Sequence, residues 1–196
     1  MDFESLGASP RVTTMIKLDH THVLAAFHRY RTDAPRWRKA ALANTICAAL
    51  EIHAQLEEEV FYPALRAANP TATVLDKSVP EHDAMRESIA KLRGMDPDAT
   101  AYDETLMELM REVLHHVADE ETILLPMAEE SLAHDLRRLG ARMNTRRAQL
   151  VASRPAELAI NSAGAFPVLT LSLLGAAALA LVSALCARTR APRDVQ

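Results

Sequence analysis

Hydrophobic residues recur every three or four positions along four successive segments of the chain, the pattern of helices that bury one face. The core-facing positions include ionisable side chains as well as apolar ones. In chain order they are Ile16, His20, Val23 and Phe27; Ile46, Leu50, His53, Glu57 and Val60; His82, Met85, Ile89 and Leu92; and Leu106, Leu109, Val113, His116, Glu120 and Ile123. The pattern predicts an all-α fold, an up-down four-helix bundle over residues 13–130.

The four helices are predicted over about residues 14–31, 35–62, 71–92 and 98–125, with a fifth over about 128–150. Pro63 is expected to bend or end the second helix, and the fourth should end before Pro126. The turns between the first four helices are predicted at Asp33-Ala-Pro35, Asn69-Pro70 and Asp96-Pro97-Asp98. Each turn lies near the midpoint between two successive core histidines, which places the histidines at one level of an up-down bundle.

Two of the core histidines carry a glutamate four residues later. Because a helix turns by roughly 100° per residue, His53 and Glu57 lie on one face of their helix, as do His116 and Glu120. Burying an unpaired carboxylate or imidazole costs several kcal/mol. The six ionisable core groups therefore need a cation or, in the alternative interpretation, hydrogen bonds to one another only.

The polar neighbours of these residues are predicted to point elsewhere, because adjacent helical positions face different directions. His22 and His115 are expected at the surface. Glu58 and Glu59 are also expected in solvent, although Glu58 is close enough to reach the edge of a metal site.

Composition agrees with a helical protein, since 49% of the residues are hydrophobic but only 4% are aromatic, and there are five glycines. The formal net charge of −4 gives no support to nucleic-acid binding. The two cysteines, Cys47 and Cys186, suggest no disulfide framework, which fits a reducing compartment.

The chain beyond the bundle has a different character. Residues 131–157 predict a basic amphipathic juxtamembrane helix and linker, whose arginines are Arg137, Arg138, Arg142, Arg146, Arg147 and Arg154. Residues 158–187 carry no charge and predict a transmembrane helix, which needs roughly 20 apolar residues, and residues 188–196 form a short basic tail. A helix buried in an oligomer is the alternative, and the oligomeric state is left open.

The N-terminus begins with acidic residues and shows no cleavable signal peptide. The expected topology is therefore a single-pass membrane protein with the bundle in the cytoplasm.

Four stretches together resemble the hemerythrin-like, HHE cation-binding family. They are Asp19-His20, the run from His53 through Glu57 to Pro63, Glu81-His82, and the run from His116 through Glu120 to Pro126. The resemblance covers roughly residues 13–130. It implies a non-haem di-iron centre in which Glu57 and Glu120 bridge the ions, while His20, His53, His82 and His116 are terminal ligands. Oxygen and nitrogen ligands without a cysteine suit iron, with manganese as the other metal that fits.

One position departs from the oxygen-carrying hemerythrins, which have a second histidine one turn along the third helix. Here the residues four positions either side of His82 are Ser78 and Arg86. A coordination position is thus left to water or to another side chain, which argues against simple oxygen carriage. The leading hypothesis is a membrane-tethered module that binds or senses dioxygen or nitric oxide. The alternatives are a di-iron redox enzyme acting on peroxide, dioxygen or nitric oxide, and an iron-handling protein.

Overall fold

The computed structural model describes residues 9–153, and the regular secondary structure of this part of the chain is entirely helical, without a strand. The helices are α1 (Val12–His28), α2 (Arg36–Leu56), α3 (Tyr62–Ala68), α4 (Ser78–Arg93), α5 (Thr100–Asp119), α6 (Leu125–Ser131) and α7 (Leu136–Ala152). One π-helical turn, Glu57–Phe61, joins α2 to α3, and a second, Glu120–Leu124, joins α5 to α6. A 3₁₀ turn, Thr73–Asp76, precedes α4, so that helix begins later than its predicted start near residues 71–74.

The helices α1, α2, α4 and α5 form a bundle in which each packs against its neighbours, α1 on α2, α2 on α4, α4 on α5, and α5 on α1. Each of these four helices buries apolar residues of the stripe that its sequence predicts, including Ile16, Ile46, Ile89 and Leu109. The expected all-helical fold is therefore confirmed for the described residues.

The core consists of two hydrophobic clusters with a polar layer between them. One cluster contains Val23, Leu50 and Val113, and the other contains Ile16 and Leu56. On α1 the polar layer is His20, which lies between Ile16 of one cluster and Val23 of the other. Since each cluster is held by several helices at once, the two together fix the height and orientation of the residues between them.

Pro63 and Pro126 do not end their helices, so the predicted end of the fourth helix near Leu125 is wrong. Proline lacks the N–H for a helical hydrogen bond, and its ring crowds the carbonyl four residues earlier. In both places the backbone widens into a π turn just before the proline. The N–H of Tyr62 donates to the carbonyl of Glu57, and that of Leu125 donates to Glu120. Such turns occur frequently at functional sites.

The second π turn also changes which residues face the core. The extra residue in the turn shifts the helical phase by about one position. Leu124 is therefore buried at 2% exposure, whereas Ile123, predicted to continue the core stripe, is 40% exposed. The uninterrupted period of the sequence prediction does not hold beyond Glu120.

The helix α7 packs on α1 and α2 at the edge of the bundle. Its buried residues are Leu136, Leu139, Gly140, Met143 and Leu150. A Cβ atom on Gly140 would lie 2.0 Å from the carbonyl oxygen of Pro10, so this close approach requires glycine. The predicted fifth helix is present but begins at Leu136, because residues 125–131 belong to α6.

Within residues 9–153, no helix is long and apolar enough to cross a bilayer. The predicted transmembrane segment 158–187 and the basic tail 188–196 lie outside the described residues.

Candidate metal centre

Six ionisable side chains meet in the polar layer, and all six are buried. They come from all four bundle helices and the two π turns: His20, His53, Glu57, His82, His116 and Glu120. Glu57 has no exposed surface, and the most exposed of the set, His53, is only 6% exposed. The neighbouring histidines His22 and His115 are exposed, as their helical positions predict.

The four histidines form two pairs. The ring centroids of His20 and His53 are 5.0 Å apart, and those of His82 and His116 are 4.6 Å apart. Rings of different pairs are farther apart, at 6.4–6.5 Å. We call the space beside His20 and His53 the first ion position and that beside His82 and His116 the second ion position.

The two carboxylates lie between the pairs. At the first ion position, the Nε2 atom of His20 is 3.3 Å from Oε2 of Glu120, and that of His53 is 3.3 Å from Oε2 of Glu57. At the second ion position, Glu57 Oε2 is 3.4 Å from Nε2 of His82 and 3.8 Å from that of His116. Two ligands bound to one ion at about 2.1 Å are themselves roughly 3–3.5 Å apart. Oε2 of Glu120 is also 3.6 Å from Nε2 of His116, so the spacing suits two cations that share both carboxylates.

The buried polar atoms of the layer test whether a cation fits. Six buried side-chain atoms of the described residues lack a hydrogen-bond partner, and two of them, Oε2 of Glu112 and Nε of Arg147, lie outside the layer. The other four are Nε2 of His20, Nε2 of His53, Oε1 of Glu57 and Oε2 of Glu120. Such atoms are rare in folded proteins because each loses its hydration without compensation. All four belong to the polar layer, and a metal ion would satisfy them.

Each histidine turns its other ring nitrogen, Nδ1, towards a carboxylate, and we call these four groups the outer carboxylates. Each outer carboxylate is adjacent in sequence to a core residue of one helix and contacts the histidine of the next helix. The Nδ1 pairs are His20 with Glu121, His82 with Glu58 and His116 with Glu81, each at 2.9 Å, and His53 with Asp19 at 3.6 Å. Such contacts fix the tautomer and orientation of a metal-binding imidazole.

Tyr62, the first residue after the π turn that contains Glu57, places its hydroxyl group between the two core carboxylates. The oxygen is 3.0 Å from Oε2 of Glu57 and 2.8 Å from Oε1 of Glu120, and its single proton is donated to one of them at a time. It is also 3.5 Å from Nε2 of His82. The phenol oxygen thus lies at the second ion position, within reach of a metal held there.

Proton equilibria in the layer reflect its burial and its mixture of charges. Although desolvation lowers the pKa of His116, Glu57 and Glu120 raise it to about 9. Burial acts to raise the pKa of Glu57, but the imidazoles, His53 foremost, bring it well below the ordinary value. Burial, together with the charges of Glu57 and Glu120, raises the pKa of Tyr62. Protons therefore balance the carboxylate charge in the metal-free protein, and a metal would displace them.

Sequence periodicity did not identify the outer carboxylates or Tyr62. Glu58, predicted to be in solvent or at the edge of a site, is half-buried and accepts from His82. A usable signal is the acidic residue next to a core residue on every bundle helix: Asp19-His20, Glu57-Glu58, Glu81-His82 and Glu120-Glu121. Metal binding by the six core residues remains a prediction.

A cavity of about 10 Å³ lies between the histidine pairs, which is space for about one water-sized sphere. Besides the four histidines, its walls include the apolar side chains of Val23, Leu50, Met85 and Val113.

Comparison with known proteins agrees with this architecture. A structure of a hemerythrin HHE cation-binding domain-containing protein from Mycobacterium kansasii, an Rv2633c homologue, is similar in fold, with a TM-score of 0.64 and 20% sequence identity. The similarity covers 83% of this chain and 97% of that one. No curated protein sequence matches this chain significantly. The family model of the hemerythrin HHE cation-binding domain matches residues 11–128, and the chain therefore belongs to the hemerythrin HHE cation-binding family.

Proposed function

We propose that the bundle holds a non-haem di-iron centre, with manganese as the alternative metal, and that it binds or senses dioxygen or nitric oxide. His20 and His53 would hold one ion, His82 and His116 the other, and Glu57 and Glu120 would lie between them. A ligand set made only of nitrogen and oxygen atoms favours iron or manganese. Two iron ions would supply open coordination positions and a change of oxidation state.

The observation that carries the choice of ligand is the size and lining of the enclosed cavity. At about 10 Å³, it has room for about one water-sized sphere, so only a very small ligand fits there and an organic substrate does not. Val23, Leu50 and Met85 give it apolar walls. An apolar, water-excluding space suits an uncharged diatomic ligand, and it strengthens the interactions that the buried histidines and carboxylates make.

Oxygen-carrying hemerythrins have a second histidine near the position of His82, and this chain lacks it. The residues around His82 indicate which group could take its coordination position. Arg86 donates to Glu58 at 2.6 Å and, as a cation, is no metal ligand. Ser78 is buried one helical turn before His82, at one of the two positions where such a histidine could stand. Besides Glu57, Tyr62 places a side-chain oxygen near Nε2 of His82, at 3.5 Å, so we propose Tyr62 or water for the position that the missing histidine leaves.

A redox enzyme acting on peroxide is the second candidate, and the position of Tyr62 favours it. The hydroxyl group of Tyr62 donates to Glu57 or Glu120 and would offer an uncharged hydrogen-bond donor to a peroxide bound beside them. A binding module needs no such donor, whereas reduction of peroxide, with electrons from an external reductant, builds up negative charge on its oxygen atoms that a hydrogen bond would stabilise. The two candidates differ in turnover.

Membrane tethering through residues 158–187 is part of the same proposal. The uncharged stretch follows α7 after a short linker, so the bundle would lie close to the bilayer. Truncation after Ser153 keeps every described helix and removes the predicted span. The truncated protein should appear in the soluble fraction with the metal content of the full chain. Membrane association that survives the truncation would rule out this anchor.

Metal analysis combined with an optical spectrum tests the function. The purified full-length protein should contain about two iron ions per chain, as a four-helix carboxylate centre does. Its spectrum should change on exposure to dioxygen or nitric oxide and return when the gas is removed. Catalytic loss of added peroxide would favour the enzyme instead. A protein that binds neither iron nor manganese would overturn both.

A further inference from the structure

One of the four outer carboxylates, Asp19, is held differently from the others. Glu58, Glu81 and Glu121 each lie 2.9 Å from a histidine Nδ1 atom, but Asp19 lies 3.6 Å from Nδ1 of His53. Both oxygens of Asp19 instead accept hydrogen bonds from Arg147, each at 2.6 Å. The arginine thus takes the carboxylate in the two-pronged geometry that makes such pairs strong.

An arginine alone does not explain the longer contact. Arg86 also donates to an outer carboxylate, Glu58, at 2.6 Å. It does so at Oε1, the same oxygen that accepts from His82 at 2.9 Å, so one oxygen serves both donors. At Asp19 the fork of Arg147 engages both oxygens, and the carboxylate plane is set by the guanidinium rather than by the imidazole.

Arg147 comes from α7, which supplies none of the six core residues and lies beyond the family match at residues 11–128. Its location depends on how α7 docks. That docking is fixed by the contact of Gly140 with Pro10 and by the burial of Met143 and Leu150. Any movement of α7 relative to α1 would therefore change the contact between Arg147 and Asp19.

There is space for this contact to rearrange. A cleft of about 260 Å³ borders the pair, and Asp19, His22, Thr45, His53, Arg147 and Val151 are among the residues that line it. Asp19 and His53 also line the small cavity of the metal centre. The ion pair thus stands between the surface cleft and the first ion position.

We infer that Arg147 is a positioning residue of the first ion position and that it acts by competing with His53 for Asp19. While α7 is docked, Asp19 is drawn away from His53. When Arg147 withdraws, Asp19 closes the distance to Nδ1, makes the imidazole a better metal donor and tightens the hold on the first ion. Anything that displaces α7 would thereby change how tightly the first of the two ions is held. The inference rests on the di-metal centre proposed above.

The test measures how fast a chelator removes each of two Fe²⁺ ions from the anaerobic full-length protein. Arg147→Gln removes the cation and should slow the release of one ion by about 3- to 10-fold, leaving the other unchanged. Asp19→Asn removes the carboxylate and should speed the release of the same ion by about 10- to 100-fold, the usual effect of losing such a partner. Because Arg147 acts through Asp19, the double variant should behave like Asp19→Asn alone.

Arg146→Gln is the matched control, since Arg146 neighbours Arg147 on α7 but binds Glu59, which faces no histidine. Arg147→Lys keeps the charge without the fork and should fall between Arg147→Gln and the unchanged protein. It also serves if Arg147→Gln does not fold. Release of the first ion at the unchanged or a faster rate in these Arg147 variants would overturn the inference, as would additive effects in the double variant. If the unchanged protein binds fewer than two ions, it is the proposed function that fails.

Discussion

The two ion positions are built from similar sequence but have different surroundings. At the first ion position, the Nε2 atoms of His20 and His53 have no hydrogen-bond partner, and a surface cleft and Arg147 lie close by. At the second, the Nε2 atoms of His82 and His116 are 3.2 Å apart, and the ring of Tyr62 stacks on His82. The first position therefore borders a surface cleft through one of its own histidines, His53, whereas the cleft beside the second position is lined by the outer carboxylate Glu58.

The difference arises outside the repeated residues. Both halves contain a histidine, a glutamate pair four residues later, a π turn and a proline. The residue before the proline is Tyr62 in one half and Leu125 in the other. Leu125 is a buried apolar side chain that cannot contact a metal. The repeated residues thus form the core of both ion positions, and single residues beside the repeat make the two positions unequal.

The largest effect is expected for Glu57→Ala, which tests whether the two positions share a ligand. Glu57 is within 3.8 Å of ring nitrogens in both histidine pairs, so its loss should lower the content from about two ions to nearly none. Metal analysis after gel filtration measures this. Glu59→Ala is the control, because Glu59 is exposed and binds Arg146. Retention of one ion would show that the positions are independent of Glu57.

Single histidine variants should separate the two positions. His53→Ala should remove the first ion and His82→Ala the second, each lowering the content from about two ions to about one. The ion that remains should give a different optical spectrum in each variant. The hydroxyl group of Tyr62 contacts His82, so it would lie beside the second ion and not beside the first. His22→Ala and His115→Ala alter exposed residues and should leave the metal content unchanged. Identical spectra from the two single-ion proteins would contradict the inequality of the positions.

The dependence of stability on pH should distinguish the metal-free from the metal-loaded protein. The folded-state pKa of His116 is raised to about 9. Its stabilising effect, about 3 kcal/mol, is full below pH 6.5 and is lost as the pH rises towards 9. Glu57, with its lowered pKa, stabilises above pH 4.5 and loses that effect as the pH falls. The metal-free protein should therefore be most stable between these limits.

Urea unfolding at pH 6 and pH 9 tests this expectation on chelator-treated and iron-loaded protein. The metal-free sample should lose stability at the higher pH. The loaded sample should not, because a metal-bound imidazole is already unprotonated. If the chelator-treated protein is equally stable at pH 6 and at pH 9, protons do not balance the carboxylate charges of the core.

Sequence alone could indicate the helices and the six ionisable core positions, because burial repeats with the helical period. Prediction from the helical period failed where the period changes, as the exposure of Ile123 within the second π turn shows. It also could not find the contact between Asp19 and Arg147, since these two residues meet only through the docking of α7. Tyr62 was visible only as the residue before Pro63, and its role depends on how the π turn rotates its side chain towards Glu57.

The smallest change is expected for Tyr62→Phe, which removes one oxygen and keeps the ring stacked on His82. The six core residues remain, so the metal content should stay at about two ions. If the phenol oxygen completes the second ion position, the visible spectrum should change, and the spectrum of the second ion alone, measured in His53→Ala, should change equally. Tyr30→Phe is the matched control. The hydroxyl group of Tyr30 also donates to a carboxylate, that of Asp103, but neither residue belongs to the polar layer. An unchanged spectrum in Tyr62→Phe would assign that coordination position to water and leave Tyr62 only as a hydrogen-bond donor to Glu57 and Glu120.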